Sequence, residues 1–292
     1  MRVLEQRHGG PVRAVAFRPD GTLLASGSDD FRVRLWPLPA GAARTVARSH
    51  RDCVRALAFS PDGKQLASAS WDDSVCVGPP GSEGKALGDA RHVAGAWSLA
   101  FSPDEKWLVS GAGDGTIFFH PLHGKSKRYS RREHRMPVTA VVFTPDGRRV
   151  ITGSHDRRII FWDAAWHQVQ QTLSVHDDWV RSLAVSPDGR QLASSSDDGV
   201  VILTALNVHP MQTSWRAHEG PAAQVAFTPR GDSLLSVGWD GTVRQWDLAS
   251  GRETTAYAWE AGRLLCLAVA PDGMTAAAGA ESGDVVVWDL EG

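Results

Sequence analysis

Short stretches of alternating apolar and polar residues, each closed by turn formers, run the length of the chain. Val12 to Phe17 (VRAVAF) is rich in Val and Phe and predicts a half-buried strand. Pro19-Asp20-Gly21 predicts a turn, because Pro presets φ and Gly tolerates positive φ. Leu23 to Ser28 predicts a second strand, Asp29-Asp30 a second turn, and Phe31 to Trp36 (FRVRLW) a third strand with period 2. A Pro/Gly stretch, Pro37 to Gly41, follows, and Thr45 to Arg48 predicts a short fourth strand.

The same pattern then repeats. Pro19, Pro61, Pro103, Pro145, Pro187, Pro229 and Pro271 are each 42 residues apart, with no insertion or deletion between them. One unit of this length cannot bury its own apolar face, so neighbouring units must stack. Helical repeats of similar period do not fit, because turn residues break each unit every 8 to 12 positions. Four antiparallel strands per unit and seven units predict an all-β propeller, with residues 1–292 forming one domain. The last unit ends at Gly292 just after its third strand, Val285 to Trp288. Residues 2–5 fall in the fourth-strand column, so they are expected to complete blade seven and close the ring.

Four further columns keep the same spacing. His8, His50, His92, His134, His176 and His218 precede the first strand, with Glu260 in the seventh unit. Ser26, Ser68, Ser110, Thr152, Ser194 and Ser236 lie in the second strand, with Ala278 in the seventh. Asp30, Asp72, Asp114, Asp156, Asp198 and Asp240 lie in the next turn, with Ser282 in the seventh. Trp36, Trp162, Trp246 and Trp288 end third strands, where units two, three and five carry Gly78, His120 and Thr204. Over its full length the chain resembles the WD-repeat (WD40) β-propeller family. The resemblance implies a His–Ser/Thr–Asp–Trp hydrogen-bond network within each blade. It is complete in units one (His8, Ser26, Asp30, Trp36), four (His134, Thr152, Asp156, Trp162) and six (His218, Ser236, Asp240, Trp246). Only the Trp remains in unit seven.

Composition removes several function classes. A formal net charge of −2 gives no overall pull toward nucleic acid or an anionic membrane. Three cysteines without CxxC spacing argue against a disulfide framework or a zinc site, and no cofactor is expected. No signal peptide or membrane-spanning apolar run is visible, so the expected compartment is the cytoplasm. Abundant Arg and Ala point to a bacterial source.

Six His–Ser–Asp sets invite a catalytic-triad reading, but a set repeated at fixed period is a folding element. His120 and His123 lack a third ligand nearby, and His120 reads as a packed substitute for Trp. The acid pairs Asp72-Asp73 and Asp197-Asp198 read as turn formers. The basic run from Lys125 to Arg135 is expected on the outermost strand of blade three and the following loop, where charge discourages edge pairing.

Tryptophan carries the functional signal. Of 12, only four occupy the family column. Trp71 and Trp239 sit just before the turn Asp, and His155 shares their column. Trp97 and Trp179 begin first strands, and Arg13, Arg55 and Arg181 share the Trp97 column. All border one end of the ring, the end that carries the His loops and Asp turns. Trp and Arg favour binding hot spots, although large aromatics also stabilise rims by packing on neighbouring blades. The expected function is a non-catalytic scaffold or adaptor that binds a protein or peptide through Arg13, Arg55, Trp71, Trp97, His155, Trp179, Arg181 and Trp239. The competing version is a sensor domain of a larger bacterial signalling protein. An enzyme or small-ligand propeller would need one asymmetric polar cluster at the channel, which the sequence does not show.

Overall fold

Turns at fixed positions fold each unit into a four-stranded antiparallel meander, and the apolar faces of these sheets pack on one another. The computed structural model describes residues 2–39, 44–87, 92–124, 127–165, 167–206, 211–259 and 261–290. Blade one illustrates the unit. It runs from β2 (Val12–Phe17) through β3 (Leu23–Ser28) and β4 (Arg32–Pro37) to β5 (Arg44–Ser49), hydrogen-bonded in that order. The third strand starts at Arg32 and not at Phe31, because Phe31 has φ 68° and finishes the turn. The Pro-Asp turns are tied by the aspartate side chain, as where Asp62 Oδ1 accepts from the Lys64 amide (3.0 Å) and the Ser60 hydroxyl (2.6 Å).

Six further sheets of four strands complete the structure. Their innermost strands are β6 (Val54–Phe59), β10 (Ala96–Phe101), β14 (Val138–Phe143), β18 (Val180–Val185), β22 (Ala222–Phe227) and β26 (Leu264–Val269). Each inner strand packs on the next, and β2 packs on β26, so the ring closes. The core lies between blades. Val12, Leu24 and Trp36 of blade one, for example, pack with Cys266, Ala277 and Val285 of blade seven. Closure is completed by β1 (Arg2–Val3), which pairs with β28 (Val285–Asp289) in the register Arg2↔Val287 and Val3↔Val286. The Leu4 amide adds a bond to the Val285 carbonyl at 2.9 Å. The closing strand is shorter than the four residues expected, since Leu4 and Glu5 lie outside it.

The expected network forms in blades one, four and six. The Trp36, Trp162 and Trp246 indoles donate to the Ser26, Thr152 and Ser236 hydroxyls at 2.8, 2.9 and 3.0 Å. Each hydroxyl meets His Nε2 at 2.8 Å, and each His Nδ1 meets its Asp at 2.9 to 3.0 Å. An indole only donates and a carboxylate only accepts, so the chain has one direction and requires the Nδ1–H tautomer of His. In blade three His120 takes the indole's place, with Nε2 at 2.8 Å from the Ser110 hydroxyl. Burial pushes the His120 pKa down to about 3, keeping it neutral. Blade seven has no such chain: Ala278 stands in the hydroxyl position and the buried Trp288 Nε1 has no hydrogen-bond partner among the described residues. Trp288 packs instead on Trp259 and Tyr257, with ring centroids 4.8 and 6.0 Å away. Glu260 lies outside the described residues.

Candidate functional site

The first strand of every blade carries a bulge at the same repeat position. In blade one Val12 pairs with Ser28 and Ala14 with Gly27, leaving Arg13 as the extra residue. The same shift falls at 55, 97, 139, 181, 223 and 265. A bulge re-aims a side chain that alternation would otherwise place against the sheet. Arg13, Arg55, Trp97 and Arg181 thereby line the mouth of the central channel, a cavity of about 250 Å³. The residues facing this column are equally fixed. The amides of Asp29, Trp71, Gly113, His155, Asp197, Trp239 and Glu281 each donate to the carbonyl two residues before their blade's bulge.

Two blades fill these paired positions with an ion pair. Arg13 forks onto Asp29 with contacts of 2.6 to 3.0 Å, and Arg181 forks onto Asp197, with Nη2 donating to Oδ2 at 2.6 Å. Blade two is different. Trp71 stands where the acid would be, and the Arg55 guanidinium carbon lies 5.0 Å from both the Trp71 and the Trp97 ring centroids. Burial, followed by the nearby charge of Arg13, lowers the Arg55 pKa to about 10.

From this cluster an aromatic wall continues around the mouth. Trp71 and Trp97 centroids are 5.2 Å apart, Trp97 meets His155 edge-on at 5.4 Å, and His155 stacks on Trp179 at 4.1 Å. Arg181 then spans Trp179 and Trp239 at 5.5 and 5.4 Å, and Arg263 lies over Trp239 at 4.8 Å. Burial, then the charges of Arg181 and Arg55, push the His155 pKa down to about 4, so its imidazole is neutral near pH 7. Small residues make room at the start of the wall. A side chain at Gly113 would meet the Ala94 carbonyl at 2.0 Å and the Trp97 indole nitrogen at 2.8 Å. That nitrogen donates to the Ala94 carbonyl at 3.0 Å.

Seven of the eight residues expected at the site form one run of contacts across blades two to six, and Arg13 faces the same cavity from blade one. Trp71 and Trp179 are exposed, at 37% and 39%, whereas Trp97 and Trp239 are half-buried and also serve rim packing. Arg263, absent from the sequence reading, extends the wall to blade seven, where it pairs with Glu281 at 3.7 Å. Its signal was available, since it stands two repeats after Trp179 in the same column. Lys125 and Trp166 lie outside the described residues, while Tyr129–Arg132 forms the exposed outer strand expected of the basic run. Among the described residues no group of three or more His, Cys, Asp or Glu side chains could hold a metal ion, and no helix is long and apolar enough to cross a membrane.

A search of curated proteins finds no match. The profile described as WD40, "WD domain, G-beta repeat", matches residues 2–37, 43–77, 90–120, 125–163, 167–203, 209–247 and 253–289. With seven matched repeats, a four-stranded sheet for each and the His–Ser/Thr–Asp–Trp chains of blades one, four and six, this protein belongs to the WD-repeat family.

Proposed function

We propose that the chain is a non-catalytic platform that binds a protein or peptide segment across the channel mouth. The observation that carries this is the continuous wall of indoles, imidazole and guanidinium groups from Trp71 to Arg263, with Trp71 and Trp179 open to solvent. Exposed indoles that the fold's own network does not use offer large contact area with few rotatable bonds. The triad-like residues argue for structure over catalysis. Their histidines are buried, and the hydroxyls they touch accept an indole N–H in the complete blades.

Affinity capture by the immobilised protein, followed by mass spectrometry, tests the reading. Trp179→Ala should lose the captured partner while the folding free energy stays within about 1 kcal/mol of the parent, because the position is exposed. Undiminished capture by a folded Trp179→Ala protein would remove the mouth from consideration.

A further inference from the structure

The paired columns at the bulge show an acid that this chain has omitted. Blades one and five place Asp29 and Asp197 against Arg13 and Arg181, whereas blade two places Trp71 against Arg55. The buried Arg55 Nε has no hydrogen-bond partner, and no carboxylate lies in ion-pair range of Arg55 among the described residues. The guanidinium carbon and the Trp71 and Trp97 ring centroids form a triangle with sides of 5.0, 5.0 and 5.2 Å, so the indoles stand beside the cation and offer faces, not acceptors for its N–H groups. A second polar atom on the wall is in the same condition. His155 is 7% exposed, and its Nε2 has no hydrogen-bond partner among the described residues. Neutral imidazole stacked on Trp179 can exchange a hydrogen bond with an amide.

We infer that the mouth takes an acidic residue of an extended peptide segment, with its side-chain carboxylate forked onto Arg55 beside Trp71 and Trp97. His155 meets a backbone group of the same segment, and the exposed faces of Trp71 and Trp179 take apolar residues on either side of the acid. An internal residue fits better than a chain terminus, because the wall runs across blades two to seven and suits a segment lying across the mouth. The charge argument is local. Arg13, Arg181 and Arg263 have their own acids, and among the described residues of the wall Arg55 is the cation without an ion pair. This assignment rests on the mouth being the ligand face.

The test begins with a synthetic library of nonapeptides, acetylated and amidated so that no terminal charge is present. The library is selected on the intact protein, and affinities are then measured by calorimetry. Enriched peptides should carry Asp or Glu at one position between apolar residues, and changing that acid to its amide should weaken binding roughly tenfold or more. Arg55→Gln should reduce this acid-to-amide ratio to near one, and Arg55→Lys should restore part of it. Trp71→Asp rebuilds the pair already present in blades one and five, so it should fold and should also bring the ratio to near one. Trp71→Ala should weaken all peptides but keep the ratio. Enriched peptides that need Trp179 yet show no acid dependence would overturn the carboxylate assignment and leave the binding face standing. So would a free-ended library that wins through its terminal carboxylate. If no peptide binds, or binding ignores Trp179→Ala, the binding face itself fails, and the carboxylate assignment with it.

Discussion

At the scale of single residues, each buried polar side chain of the blade network is fixed by what its neighbour can donate. Asp156 shows how much converges on one carboxylate. It accepts from His134 Nδ1 at 3.0 Å, from the Arg135 amide at 2.9 Å and from the Arg158 guanidinium at 2.8 Å. Burial alone would raise its pKa, but these donors outweigh it and hold the carboxyl below the usual range. Asp198 has a longer bond from His176, 3.2 Å, and its blade carries Thr204 in place of Trp, with a buried hydroxyl that has no partner. We therefore predict that Asp156→Ala costs about 1–3 kcal/mol in chemical denaturation and that Asp198→Ala costs less. Equal and negligible losses would show that the network does not support the blades. Histidine sets the acid side of the stability profile. His155, held down to about 4, faces Trp97 and Trp179 with Arg55, Arg181 and Asp178 as its charged neighbours. A folded-state pKa below the unfolded value near 6.5 means that the unfolded chain binds the proton first. Its contribution is thus complete above about pH 6.5 and is lost as pH falls toward about 4. His155→Phe should flatten the decline of melting temperature across that window, and an unchanged decline would place the titration elsewhere.

At the scale of the element, the seven sheets share one backbone plan and differ in what secures them. Blade seven has Ala278 for the hydroxyl, Ser282 for the turn acid and an indole without a hydrogen bond. Packing of Trp288 on Trp259 and Tyr257 replaces directional bonds. Segments with fewer satisfied buried groups open at lower free energy. Hydrogen exchange should therefore be faster in residues 263 to 290 than in the matching strands of blades one, four and six, and equal protection would contradict this. The same plan explains what could be read in advance. The repeat spacing located Val12–Phe17 and Leu23–Ser28 to the residue, because alternation and turn formers agree there. Phe31 was misplaced because a bulky apolar residue with positive φ looks like strand in a sequence. The bulge at Arg13 and its repeats has no composition of its own, since the position holds Arg, Trp, Thr, Ala and Leu in different blades. The site residues were legible as a column of unusual types. The pairing of Arg13 with Asp29, and the absence of that pairing at Arg55, became visible only once the bulge had turned the column into the mouth.

At the scale of the whole molecule, closure decides stability, since a ring of repeats has no ends only while its last contact holds. Neighbouring blades stabilise one another through shared cores, and an open array exposes two unprotected faces. The last contact here is slender: β1 contributes two residues to the β28 edge, with the Leu4 amide adding one further bond to Val285. It also joins side chains across the seam, where Leu4 packs with Val12, Trp36, Val285 and Val287. Blade seven, which lacks the internal network, is the blade this seam must hold, so the two weaknesses coincide. Removing residues 1–6 would uncover the outer edge of β28, whose residues Val285 to Trp288 are buried in the closed ring. We predict a clear fall in melting temperature and a tendency of the shortened protein to self-associate through that edge. Leu4→Pro is the finer probe, since it deletes a single amide donor and the apolar contact without shortening the chain. It should lower the melting temperature in the same direction but by less, and the loss of exchange protection should appear first in β28 and then spread to both neighbouring blades. If either variant melts like the parent, the ring is held by blade-to-blade packing alone, and the seam contributes order without stability.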